Sequence, residues 1–215
     1  MNRSRRISLL GIMILLFMSS TAFATHIDFT EFDVPNVNHN VGPNYSTTVN
    51  DLTITFTAAG DEDLYWDDTD GFGVWGSGYE WDEVEEPEAL IIEFDTPVYV
   101  TYFDITDLFL EGGSYQGGYY EIGWYNSDGN PDSYTQFQQT DPTMILGETN
   151  GVYILTIDAY VDTIWFSAPG EINGQNHEFS VAGVDVNPVP EPATMLLFSS
   201  GLIGLAAFRR KSRKS

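Results

Sequence analysis

The chain has 215 residues, 42% of them hydrophobic and 14% aromatic, with no cysteine and a formal charge of −24 at pH 7. That length fits one domain with short appendages, and that apolar content can bury a core, so a wholly disordered chain, a disulfide scaffold, a thiolate zinc site and a cysteine nucleophile are all excluded. The eight basic residues stand only at the ends (Arg3, Arg5, Arg6; Arg209, Arg210, Lys211, Arg213, Lys214) and all 32 carboxylates lie between them, which excludes nucleic acid, anionic lipid and phosphate ligands for the interior, where nothing can neutralise a phosphate.

In chain order, residues 1–24 read as a secretory signal peptide. A basic start is followed by an apolar run over 7–18, and then Ala22, Phe23 and Ala24 form the small-x-small exit that signal peptidase accepts, with cleavage after Ala24. A buried core helix would explain the apolar run but not the three parts in this order.

Residues 25–186 read as an acidic β domain. Leu52, Ile54 and Phe56 alternate with Thr53, Thr55 and Thr57, the two-residue period of a half-buried strand. Further β-rich runs fall at 27–32, 89–94, 98–105, 119–125, 152–157, 163–167 and 178–186, separated by turn signals such as Gly112 and Gly113, Asp141 with Pro142, and Asn150 with Gly151. No stretch keeps a 3.6-residue period long enough for a helix, and no internal repeat suggests a propeller or solenoid. The expected fold class is all-β, an antiparallel β-sandwich of jelly-roll type.

Residues 60–88 break the strand rhythm and read as a long loop holding twelve carboxylates, three tryptophans and two tyrosines. Long, rich loops of this kind carry function or move. Asp61, Asp63, Asp67, Asp68 and Asp70 are candidate ligands for Ca²⁺, which takes six to eight oxygens from flexible loops. The run Asp68, Thr69, Asp70, Gly71 matches part of an EF-hand loop, but Trp66 stands where that spacing needs an acid, so it is no EF-hand. A solvated acidic face is the alternative. Trp66, Trp75, Tyr79 and Trp81 are candidate glycan platforms, with edge packing of the sandwich as the competing role. For catalysis, His26, His39 and His177 are far apart in sequence and read as surface or strand-edge residues, and the chain has no zincin motif, nucleophile elbow, phosphate-cradling loop or dinucleotide fingerprint. Carboxylate pairs suited to glycoside hydrolysis cannot be singled out among so many acids.

Residues 187–192 form a linker containing Pro190, Glu191 and Pro192, residues 193–208 are uncharged, and residues 209–215 form a basic tail. As a helix, 193–208 would be about 24 Å long, short of a hydrocarbon core of about 30 Å by an amount that snorkelling Arg209 and Arg210 or local thinning can make up. A C-terminal transmembrane helix is therefore expected, with the basic tail cytoplasmic and the acidic domain outside. Two prolines hold the linker extended and deny it to helix or sheet, leaving it open to a processing enzyme.

Through Pro190, Glu191 and Pro192, the apolar segment and the basic tail, the chain resembles the PEP-CTERM family of exported bacterial proteins. The resemblance implies that these three residues are recognised by exosortase, a membrane-embedded processing enzyme, that the apolar helix is a temporary membrane anchor in a Gram-negative inner membrane, and that the setting is an exopolysaccharide layer such as a biofilm. The expected protein is a non-catalytic, calcium-stabilised sandwich released to the cell surface or matrix in a structural or adhesive role. A glycan-binding module and a polysaccharide-cleaving enzyme are the alternatives, and an unprocessed membrane anchor is the competing account of the C-terminal segment.

Overall fold

The computed structural model describes residues 24–35, 39–60, 62–75, 83–84, 89–111, 119–127, 133–141, 143, 151–169, 177–188 and 200–201. The chain divides into two units, Ala24–Asn187 on the one hand and Met1–Phe23 with Pro188–Ser215 on the other. Among the described residues the chain forms thirteen strands: β1 (Thr25–Asp28), β2 (Asn40–Gly42), β3 (Asn44–Val49), β4 (Leu52–Ala58), β5 (Asp63–Asp67), β6 (Gly71–Trp75), β7 (Ala89–Thr106), β8 (Leu110–Glu111), β9 (Tyr119–Tyr120), β10 (Ile122–Asn126), β11 (Thr135–Gln138), β12 (Tyr153–Ser167) and β13 (Ser180–Pro188). The class is all-β and mostly antiparallel, as the alternation predicts.

β4 shows why. Leu52, Ile54, Phe56 and Ala58 are buried while the three threonines between them face away, and β-branched threonine suits the outer side of a pleated strand. Val49 pairs with Leu52, so β3 and β4 are joined by Asn50 and Asp51 alone, both at positive φ (51° and 66°). That is the two-residue hairpin turn whose twist matches the strands, and it favours Asn and Asp. β1 ends where Asp28 Oδ1 accepts hydrogen bonds from the Thr30 amide (3.0 Å) and hydroxyl (2.7 Å), a side-chain turn that competes with the sheet ladder and stops the expected 27–32 strand early.

Two pairs of expected strands are in fact single long ones. Runs 89–94 and 98–105 join as β7, and runs 152–157 and 163–167 join as β12, the two pairing antiparallel along almost their whole length. Pro97 looks like a break in sequence. It is tolerated because the register jumps from Thr163↔Glu93 to Val161↔Val98, leaving Pro97 in a bulge where no ladder bond needs its missing N–H. A second irregularity between Thr156 and Ala159 carries Asp158 at φ 48°.

The first half of β7 pairs with β4 and with the second half of β12, which continues to β10 and β11. On its other part β7 neighbours β13, which leads to β1 and through β6 to β5 and β2. Rings from strands that are not sheet neighbours meet in the core, Phe56 of β4 stacking on Phe72 of β6 with centroids 4.0 Å apart, and Phe29, just past the end of β1, meets Phe56 edge-on at 4.9 Å. Phe103 against Phe166 (5.0 Å) and Phe137 against Phe179 (5.1 Å) extend the same core. Burying each such ring contributes about 2–3 kcal/mol.

The expected loop over 60–88 needs correcting, because β5 and β6 form a hairpin inside it. Leu64, Phe72 and Val74 are wholly buried. Their alternation is hidden in the sequence by the aspartates around it.

Candidate functional site

The acidic hairpin comes first because most of the sequence candidates fall on it. At its tip, Asp67 Oδ1 accepts hydrogen bonds from the Thr69 amide (2.8 Å), the Thr69 hydroxyl (2.9 Å) and the Asp70 amide (2.8 Å). Burial pushes the Asp67 carboxyl up, but these bonds and one from the Tyr65 hydroxyl together outweigh it and hold the group below its ordinary value. Asp70 behaves oppositely. Burial raises its carboxyl, the charges of Asp67 and Asp68 add to the rise, and the hydrogen bond from Thr69 only partly opposes it. Asp63 lies in β5, where its Oδ2 accepts a bond from Asn40 Nδ2 at 2.9 Å; Asp68 is exposed, and Asp61 lies outside the described residues. Asp67 and Asp70 are thus engaged in folding the turn, Asp70 Oδ2 accepting from the Thr69 hydroxyl at 2.6 Å, whereas Asp68 is not part of these bonds. Among the described residues no three His, Asp or Glu side chains are grouped to hold a metal ion.

Gly71 closes this turn at φ +89°, and a Cβ built there would lie 2.4 Å from the Val181 carbonyl oxygen and 2.8 Å from Ala182 Cα. The tip is pressed onto β13, and only glycine fits both the backbone angle and the space.

Of the glycan candidates, Trp66 is half-buried, packs against the core, and donates its Nε1–H to the Phe29 carbonyl at 2.8 Å. Its indole is anchored as edge packing requires. Trp75 is also half-buried, its ring 6.0 Å from Tyr65. Tyr79 and Trp81 lie outside the described residues.

The histidines are in three separate environments. His26 Nε2 is 3.6 Å from Asp104 Oδ2 on an outer sheet face. His39 stacks on Tyr65 with centroids 5.3 Å apart. His177 is 3% exposed, and burial pushes its imidazole below the ordinary value; this corrects the surface or strand-edge position expected for it. A buried polar group that sequence inspection missed, Gln139, is used on backbone: its Nε2 donates to the Leu108 carbonyl (2.9 Å) and its Oε1 accepts from the Thr140 and Asp141 amides (3.0 Å each).

At the ends, Ala24 is exposed immediately before β1, while Ala22, Pro190, Glu191 and Pro192 lie outside the described residues. Of the helix expected over 193–208, Ser200 and Gly201 are described and are helical. Among the described residues no helix is long and apolar enough to cross a membrane.

Comparison with known families supplies what the geometry of the domain does not. Residues 188–211 match the PEP-CTERM protein-sorting motif. The C-terminal segment is thus similar to the sorting segment of exported proteins that exosortase processes, and the match covers that segment alone. No curated protein and no solved structure matches the chain.

Proposed function

We propose that this chain is a non-catalytic surface protein. Its antiparallel sheet acts as a two-layer sandwich sharing β7 and β12, and it is exported, held by an apolar helix at 193–208, and processed by exosortase for display in a polysaccharide layer. The observation that carries the reading is the sorting motif at residues 188–211, following in sequence an all-β domain that has no Lys or Arg. Its test is the mature C-terminus in cells with and without the processing enzyme. In the wild type, intact-mass measurement is expected to find the chain shortened near Pro190–Pro192 in the surface fraction; without the enzyme, the full basic tail should persist in the membrane fraction. Identical C-termini in both strains would reject exosortase sorting.

A divalent cation enters this reading as charge relief. All the carboxylates except Glu191 fall within residues 25–186, where no Lys or Arg is available to pair with them. Their mutual repulsion is screened only beyond about 8 Å at physiological salt, and Ca²⁺ held by Asp61, Asp63, Asp67, Asp68 or Asp70 would relieve it in the folded state. A cation bound at 100 times its Kd adds about 2.7 kcal/mol. Melting at fixed ionic strength is expected to be higher with calcium than with chelator, and the gap should shrink in Asp68→Asn with Asp70→Asn. Equal melting temperatures would leave these residues as a solvated acidic surface.

A further inference from the structure

We propose that one outer sheet face, built from β3, β4, the first half of β7, the second half of β12, β10 and β11, binds an uncharged polysaccharide, with Trp124 and Trp165 as its stacking platform. The proposal rests on surface display for its setting and names the ligand class of the displayed domain.

Side-chain direction follows from burial. Ile54 and Phe56, Leu90 and Ile92, and Ile164 and Phe166 are all wholly buried, so Thr55, Ile91 and Trp165 between them face outward. On β10 the direction is fixed independently. A Cβ at Gly123 would lie 2.0 Å from Cζ of Phe137, a core ring, so residue 123 faces the core and Trp124 faces the other way. Register then brings the two indoles close. Trp165 opposes Asn126, and Trp124 opposes Ser167 on one side and Gln136 on the other. Trp124 and Trp165 are thus diagonal neighbours on adjacent strands, about 7–8 Å apart at the backbone. Tyr134, 39% exposed, holds its ring 6.0 Å from that of Trp124 and extends the platform at the sheet edge.

Charge selects the ligand. In a chain of net charge −24, β3, β4, β10 and β11 contain no charged residue at all. Instead they present hydroxyls and amides, with Ser46 and Thr55 hydrogen-bonded to each other at 2.8 Å. Glu93, opposite Thr55, is the carboxylate nearest the middle of the face. The other outer face is different: at Gly183 a Cβ would lie 3.1 Å from Asp104 Oδ2 and 3.2 Å from His26 Cε1, and the charges of Asp28 and Asp185 act on Asp104. A pyranose chain offers an apolar C–H face to an indole and a hydroxyl edge to Ser, Thr and Gln. A largely uncharged, hydroxyl-rich surface with half-buried tryptophans complements it, and the acidic remainder of the domain repels uronate, sulfate or phosphate polymers.

The test is native electrophoresis of the full chain, in a detergent without a sugar headgroup, through gels containing hydroxyethyl cellulose, dextran or alginate. Retardation by at least one uncharged polymer and none by alginate is expected. Trp124→Ala and Trp165→Ala should each weaken binding about tenfold, the double variant should abolish it, and the Phe variants should keep part of it. Tyr160→Ala, a 66% exposed ring elsewhere, should change nothing. If Trp165→Ala lowers the melting temperature, Tyr134→Ala serves as the second variant, expected to weaken retardation without unfolding. No retardation by either uncharged polymer, retardation unchanged in the double variant, or equal retardation by alginate each overturns the proposal. Concentration-dependent dimers lost in the tryptophan variants, without glycan retardation, would reassign the face to self-association. None of these outcomes bears on the processing of the C-terminus, which is read separately by mass.

Discussion

Replacing Pro190, Glu191 and Pro192 together by alanine is expected to leave export intact and to reduce release from the membrane to near zero. Residues 1–24, which read in the sequence as the export signal, are not touched by the substitution. The C-terminal effect has a conformational cause as well as a chemical one. Proline fixes φ, lacks an N–H and biases the residue before it towards extended backbone, so the native segment stays outside any helix that begins at 193. Alanine is the best helix former, favoured over proline by about 3 kcal/mol per interior residue. In the triple variant a helix over 193–208, as the sequence predicts, would be free to grow upstream and absorb the recognition segment. Glu191→Gln keeps both prolines and therefore isolates the carboxylate: reduced release in that variant would assign recognition to the charge, and full release would assign it to the extended backbone. The readout is membrane and surface fractionation with mass measurement of the mature C-terminus. Unchanged release of the triple variant would make the segment a linker and the helix an ordinary anchor.

Gly71→Ala is expected to destabilise the domain by about 3–5 kcal/mol, from a left-handed backbone angle and a steric clash acting together. The clash is with the backbone of β13, at 2.4 Å from the Val181 oxygen, which cannot rotate aside as a flexible side chain would. Gly60 supplies the control. It has nearly the same angle, φ +83°, but nothing lies within 4 Å of a Cβ built there, so Gly60→Ala should incur only the conformational part, about 1 kcal/mol. For a domain of this size the Gly71 variant should melt lower by roughly 10 °C and the Gly60 variant by a few degrees. Equal, small shifts would mean that the hairpin tip is not seated on β13.

These two cases differ in how far they could be read from the chain alone. The sorting segment is linear: Pro190, Glu191 and Pro192, an uncharged stretch and a basic tail are adjacent, and their meaning depends on order. The strand nature of β4 was legible for the same reason, since Leu52, Ile54 and Phe56 repeat every two residues. Charge segregation needed nothing beyond position along the chain. What sequence inspection missed was decided by partners far away. Runs 89–94 and 98–105 read as separate strands, and only the register against β12 shows that they are one, with Pro97 between them in a bulge. The aspartates of 61–70 suggested a loop because their chemistry masks Leu64, Phe72 and Val74, whose burial depends on distant partners such as Phe56 of β4, stacked on Phe72. Trp66 drew attention as one of three tryptophans in a loop, yet its N–H reaches Phe29, thirty-seven residues earlier. Trp124 and Trp165 stand forty-one positions apart, and only their places on β10 and β12, adjacent in the sheet, bring them onto one neutral face. The sequence by itself determined class, charge and sorting, because local period and linear order are properties of one dimension. Tertiary structure alone decided which face each aromatic ring lies on, because a strand's two sides are equivalent until another strand buries one of them.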